Sequence, residues 1–203
     1  MTSFAAIYRD NLWGFGSGHG SLPAVTRRYR RLVERFVRQA DVNRVLDLGC
    51  GDWQFSRLID WQDTAYLGVD AVPDLIAENR RRFGSENIRF VQAPARFDDL
   101  PPADLLLIKD MLQHLPDSEV HAFLRILPRY RYALITNCVR PAAERNRDIE
   151  RGGFRPLDLR FAPFYLNGEV VLTFHGPPAF TLRPLRLYPS WTKRTLLVHG
   201  KRG

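Results

Sequence analysis

Five short apolar runs punctuate the middle of the chain: R-V-L-D-L (44 to 48), Y-L-G-V-D (66 to 70), I-R-F-V (88 to 91), D-L-L-L-I (104 to 108) and Y-A-L-I-T-N (132 to 137). Each has the length of a strand and is apolar enough to be buried on both faces. Helical patterns lie between them near 53–60, 73–83 and 116–127, and Pro73 and Pro116 suit first-turn positions. Strands alternating with helices imply a parallel sheet covered on both sides, hence three layers of α/β structure. A further helix is expected over 23–39, where Val25, Tyr29, Leu32, Val33, Phe36 and Val37 form one apolar face. E-V-V-L-T-F (169 to 174) and R-T-L-L-V-H (194 to 199) read as strands with no long helix between them. The sheet should therefore end in a late antiparallel pair.

A chain of 203 residues is expected to form one domain, 1–203, with a substantial core. Its parts are an N-terminal segment and helix (1–40), the alternating core (42–137), a polar, irregular stretch rich in Arg and Pro (138–168) and the terminal strands (169–203). No apolar run reaches the length of a membrane span, the N-terminus lacks a signal-peptide pattern, and a cytoplasmic location is expected. Two cysteines, Cys50 and Cys138, argue against a disulfide framework or a Cys-rich zinc site. The net charge is +8, and 27 of the 30 basic residues are Arg. Such a surface could meet RNA, an anionic glycan, a nucleotide-linked substrate or a membrane face, or it could reflect genome composition. Arg27, Arg28, Arg30, Arg31, Arg35 and Arg38 share the polar face of helix 23–39, as a solvated face or as an RNA stripe without interleaved aromatics.

Two glycine-rich stretches compete for a ligand. G-F-G-S-G-H-G-S (14 to 21) has no preceding strand, whereas Gly49-Cys50-Gly51 follows a buried strand and precedes an expected helix. The second context is the ligand-binding turn of an open α/β sheet, where the helix N-terminus offers unpaired N–H groups. Asp70 ends the next strand and is placed to accept hydrogen bonds from ribose hydroxyls. A dinucleotide fingerprint would need a third glycine at Gln54. Asp47 and Asp52 flank the turn, so a cation without phosphates fits better than a pyrophosphate.

V-L-D-L-G-C-G-D resembles the first motif of class I S-adenosylmethionine (SAM)-dependent methyltransferases, and Y-L-G-V-D resembles their acidic second-strand end. D-L-L-L-I-K-D-M-L-Q-H-L-P (104 to 116) is similar to their fourth-strand motif. The resemblance implies a Rossmann-like, mostly seven-stranded sheet, SAM as cofactor, the methionine portion on Asp47, Gly49, Cys50 and Gly51, and ribose at Asp70 and Ala71. The family often has glycine where Trp53 stands, and an acid near adenine where Pro94 stands. Adenine binding then falls to Ala95, Arg96 and Phe97. Lys109 is a further cofactor-side candidate, although its strand position would also let it face solvent or the opposite side. The chain ends, I-Y-R-D-N-L-W-G with S-G-H-G-S and N-R-D-I-E-R-G-G-F-R-P-L-D-L, resemble a small bacterial and viral methyltransferase subgroup, some of whose members act in sugar O-methylation.

Methyl transfer is an in-line displacement, and a hydroxyl acceptor gains from a nearby base. Asp110 and His114 follow the fourth strand and are the catalytic candidates; His114 reads either as the base or as a hydrogen-bonded turn residue. Asp110, His114 and Asp148 could converge on a divalent cation, but no metal is assigned. Asn146, Arg147, Asp148 and Arg155 are the acceptor-binding candidates, in a segment that reads as a lid or as a surface loop of local Arg–Asp pairs. Met111, Trp191 and Tyr165 could line the pocket. Stretch 11–21 reads as a cover over the cofactor, with Trp13 and Phe15 as anchors and Ser17, His19 and Ser21 as polar contacts, or as a disordered arm. The expected reaction is methyl transfer to a hydroxyl of a small molecule or glycan; RNA methylation and non-catalytic SAM binding are the rivals.

Overall fold

In the computed structural model, residues 3–140, 146–176, 178–179, 188–189 and 191–200 are described; part of the expected irregular stretch, 141–145, lies outside them. The chain starts with helix α1 (Phe4–Arg9) and helix α2 (Arg27–Gln39). Then come β1 (Arg44–Leu48), β2 (Ala65–Asp70), α3 (Pro73–Phe83), β3 (Ile88–Gln92), β4 (Leu105–Lys109), α4 (Asp117–Ile126) and β5 (Tyr132–Val139). The last strands are β6 (Glu169–His175), the two-residue pair β7 (Pro178–Ala179) and β8 (Tyr188–Pro189), and β9 (Thr192–His199).

The main sheet has seven strands in the order β3-β2-β1-β4-β5-β9-β6. Neighbours from β3 through β5 pair in parallel, and β9 runs antiparallel to both β5 and β6. Strand order reverses at β1, with β2 on one side and β4 on the other, which opens a crevice at their carboxyl ends. The alternation within each strand feeds two cores. Val45, Leu105, Leu107 and Leu134 face Tyr29, Val33 and Val37 of α2 and Ile76 of α3. Leu46, Leu106, Ile108 and Ile135 face Val120, Phe123 and Ile126 of α4, together with Leu157 and Leu159. The expected three-layer sheet with its antiparallel end is present.

Two expected helices differ. Helix α2 begins at Arg27 rather than at Pro23, because residues 22–26 form a turn in which Thr26 Oγ1 donates back to Leu22 O (3.0 Å). The helix expected over 53–60 is replaced by turns and a short 3₁₀ turn, Ser56–Leu58. Trp53 has φ +55°, a left-handed conformation that no α-helix accommodates. Trp53, Phe55, Ile59 and Trp61 are all buried, a spacing without the 3.6 period, so tight packing against α2 and β2 overrides the local helical pattern.

Candidate functional site

A cavity of about 740 Å³ opens at the carboxyl ends of β1, β2 and β4, within the size range of small-molecule sites. On its first side lies the β1 turn. Gly49 and Gly51 have φ +79° and +57°, and a Cβ on Gly49 would come 2.8 Å from Met111 Cγ. A Cβ on Gly51 would collide with Ser17 Oγ and come 2.9 Å from Tyr8 OH. Both glycines are therefore needed for backbone shape and for the close approach of other segments. With the 53–60 helix missing, no α-helix N-terminus follows this turn. The turn's own N–H groups are used locally instead: Gly51 N donates to Asp70 Oδ2 (3.0 Å) and Asp52 N to Ser17 Oγ (3.1 Å).

Asp70 is buried and also accepts from Val72 N (3.0 Å). Burial raises its pKa while these two N–H bonds pull it down. Each carboxylate oxygen has a second lone pair, so the site retains capacity for hydroxyl donors. Asp47 accepts from Tyr66 OH (2.6 Å) and Ser56 Oγ (3.3 Å), yet burial pushes its pKa up to about 6. Ala71, Cys50 and residues 93–98 line the same side. Within that last stretch Arg96 pairs with Asp98 at 3.2 Å, and the Phe97 ring packs edge-on to Phe123.

The N-terminal segment packs against the β1 turn and lines the cavity. Ser17 Oγ donates to Asp52 Oδ1 (2.7 Å), which leaves Tyr8 OH as donor in its 2.8 Å bond to Ser17. Gln54 Nε2 donates to Phe15 O (3.0 Å). Trp13, Ser17, His19 and Ser21 line the cavity, whereas Phe15 is exposed.

On the second side, Asp110 follows β4 at φ +61°, a strained conformation for a non-glycine residue. Its Oδ2 is shared by Lys109 Nζ (2.5 Å) and Lys193 Nζ from β9. Burial opposes its ionisation, but the two ammonium groups hold its pKa down at about 2. Lys109 points inward, not to solvent: it also donates to Gly20 O (2.9 Å), and burial lowers its pKa to about 8. Asp110 Oδ1 is buried and lacks a hydrogen-bond partner among the described residues.

His114 lines the cavity between the rings of Trp13 (4.8 Å) and Phe154 (5.8 Å). Its Nδ1 lies 2.7 Å from Gly153 O, a group that can only accept, so Nδ1 carries the proton and Nε2 the lone pair. Burial lowers its pKa, which favours the neutral ring. Gln113 Nε2 stands 3.5 Å from that Nε2, at the long limit of a hydrogen bond.

The candidates from the 146–158 segment do not line this cavity; they hold the scaffold. Arg155 is buried, pairs with Asp117, and donates to Leu115 O (2.8 Å) and Arg147 O (3.0 Å). Asp148 Oδ1 accepts from Asp117 N (2.8 Å), capping α4. Asn146 donates to Ala162 O (2.7 Å) and accepts from Asp158 N (2.9 Å). Arg147 contributes its carbonyl to Arg155 and is exposed. The cavity is lined instead by Arg151 and Phe154 of that segment, with Arg140, Glu119, Met111 and Trp191; Tyr165 is 73% exposed and elsewhere. With Asp148 capping a helix and Asp110 held by two lysines, the three-residue metal arrangement does not assemble. Among the described residues no cluster of three His, Cys, Asp or Glu could hold a metal ion.

Lys193 and Tyr8 were missed by sequence reasoning. Lys193 had one available signal: with Thr195 and Leu197 it occupies the buried alternate positions of β9, a register in which a lysine needs a partner.

Comparison with known proteins places this geometry. Residues 45–130 match the family model described as a methyltransferase domain. The trans-aconitate 2-methyltransferase of Methylobacterium nodulans is 42% identical over 89 residues, and the match spans 42% of this chain and 32% of that relative. Among solved structures, YcgJ from Bacillus subtilis superposes with a TM-score of 0.62 at 14% identity, covering 87% of this chain and 99% of that one. Magnesium protoporphyrin IX methyltransferase from Synechocystis gives a TM-score of 0.59 at 13% identity, covering 98% and 96%. Residues 45–130 are thus similar to a methyltransferase domain, and the seven-stranded sheet has the fold of these solved structures.

Proposed function

We propose that the chain binds SAM in the 740 Å³ cavity and transfers its methyl group to a hydroxyl of a small molecule or glycan. The observation that carries this is one cavity holding both an acid at the end of β2, beside the Gly49–Gly51 turn, and beyond β4 a histidine whose Nε2 carries the lone pair and meets only a long contact to Gln113. Asp70 would take the ribose hydroxyls, the turn the methionine portion, and residues 93–97 the adenine. Three acids on that side, Asp47, Asp52 and Asp70, suit a cationic ligand.

Bound SAM supplies an electrophilic methyl on a sulfonium. The chain's part is to align the acceptor and receive its proton. His114 Nε2 accepts that proton while Gly153 O steadies the resulting imidazolium at Nδ1. Asp110 Oδ1, ionised and unpaired among the described residues, accepts from a polar group of the acceptor. Trp13 and the cover 14–21 keep water from the reacting atoms.

Calorimetry with S-adenosylhomocysteine tests the cofactor assignment. Wild type is expected to bind, and Asp70→Ala to lose binding. A wild-type chain that shows no heat of binding even at millimolar ligand ends the methyltransferase reading. RNA methylation is a second reading, supported by the exposed arginines Arg28, Arg31, Arg35 and Arg38 along α2; binding of mixed RNA that falls steeply with added salt would favour it.

A further inference from the structure

The floor of the cavity carries a cation more than its partners use. Lys109 and Lys193, with side chains 3% and 4% exposed, converge on one oxygen of a single carboxylate, Asp110. Lys109 completes its surroundings with Gly20 O and the Phe55 ring, 5.0 Å from its Nζ. The hydrogen-bond and ring partners of Lys193 Nζ among the described residues are Asp110 and the Trp191 ring, 5.1 Å away. An ammonium has three donors, so Lys193 keeps N–H groups to offer. A buried cation with spare donors is costly unless a ligand supplies charge and acceptors. Both Lys193 and Trp191 line the cavity, and the strand that carries Lys193, β9, lies three places along the sheet from β1. Gly20 stands directly over the ammonium, where a side chain would collide with it. The cavity is thus acidic at the β1–β2 end and basic at the β9 end.

We propose that Lys193, backed by Lys109 and flanked by Trp191, is an anion subsite, and that the acceptor is a hydroxyl compound bearing a carboxylate or phosphate. The inference rests on the methyl-transfer reading for its word "acceptor"; the subsite itself does not. A neutral alcohol would leave the Lys193 ammonium short of a partner, whereas an anionic acceptor satisfies it and presents its hydroxyl toward Asp110 and His114. Trp191 offers an apolar wall to the carbon skeleton between the two groups.

The test is a calorimetric titration of the full chain with malonate and, separately, with inorganic phosphate at matched ionic strength. Each is run with and without S-adenosylhomocysteine, for wild type, Lys193→Met and Lys193→Arg. Saturable binding of one of the two anions is expected in wild type; which one binds tells carboxylate from phosphate. Lys193→Met, nearly isosteric, should weaken it by at least about thirtyfold without changing affinity for S-adenosylhomocysteine, and Lys193→Arg should retain it. Three results overturn the proposal. One is no saturable binding of either anion to wild type. The second is unchanged anion binding in Lys193→Met. The third is a loss of S-adenosylhomocysteine affinity in Lys193→Met with 5′-methylthioadenosine affinity unchanged, which would assign Lys193 to the cofactor's own carboxylate. Failure of S-adenosylhomocysteine to bind wild type sinks the methyltransferase reading instead, and the subsite is then scored on the ligand-free titrations.

Discussion

The two ends of the cavity are built differently. At the β1–β2 end the groups sit within 24 residues of one another, from Asp47 to Asp70, and each lies at or just beyond the carboxyl end of a parallel strand. At the other end Asp110 and His114, Gly153, and Lys193 come from three separate stretches, and the contact between Asp110 and Lys193 spans 83 positions. The first end is acidic and closed by backbone N–H bonds; the second is a lysine–aspartate–lysine cluster beside an imidazole held by Gly153 O. A local motif can specify a common cofactor, while an end assembled from distant segments can vary its acceptor without disturbing that motif.

The sharpest way to break this division is at His114. If it is the base, His114→Ala should lower kcat by about 10²–10⁴ while S-adenosylhomocysteine still binds with wild-type affinity. The pH profile carries a second signature. Burial lowers the pKa of this imidazole below its usual 6.5, and the base works only when neutral. Wild-type kcat should therefore reach its plateau by neutral pH and fall as pH drops through a value under 6.5. An unchanged kcat in both His114→Ala and His114→Gln would return the residue to a structural role in its turn.

Next in size is Arg155. It ties the 146–158 segment to the start of α4 through Asp117 and Leu115 O, and its backbone N donates to Gln113 O (3.2 Å). Removing the charge strands Asp117, so Arg155→Met should cost about 3–5 kcal/mol of folding stability, read from a denaturant midpoint. Cofactor affinity should be unchanged. A fully stable variant with a raised acceptor KM would instead place Arg155 in the acceptor site.

These two residues also show what the sequence could and could not reveal. His114 was legible as a cavity residue because it follows a strand by a short offset. Arg155 was legible only as a polar residue in an irregular stretch; composition cannot tell a buried brace from a lid that touches a ligand, since both use Arg–Asp pairs. The strand pattern was legible because burial on both faces leaves uninterrupted apolar runs. The helix expected at 53–60 was not, because its apolar residues pack as separate anchors around a left-handed Trp53, a tertiary effect that local periodicity does not encode. Lys193 illustrates the same limit from the other side: its partner, Asp110, enters from a strand two places away in the sheet.

The smallest effect sharpens the acidic end. Asp47 is raised from 3.8 to about 6 by burial, against the pull of Tyr66 and Ser56. The folded chain thus holds a proton there that the unfolded chain releases between those two values, so the contribution of Asp47 to stability is greatest at low pH and is lost as pH rises from 3.8 to about 6. Asp47→Asn removes the buried charge and keeps an oxygen for Tyr66 OH. It should raise stability by roughly 1–3 kcal/mol at pH 8, with the gain vanishing as pH falls below 4, as read by thermal melts across pH. A variant less stable than wild type at pH 8 would mean that the ionised carboxylate is favourably held. If the acidic end serves a sulfonium, the same substitution should weaken SAM more than S-adenosylhomocysteine, because only SAM carries the positive sulfur. Equal weakening would assign Asp47 to the shape of the turn, and the charge contrast between the two ends would then rest on Asp52 and Asp70 alone.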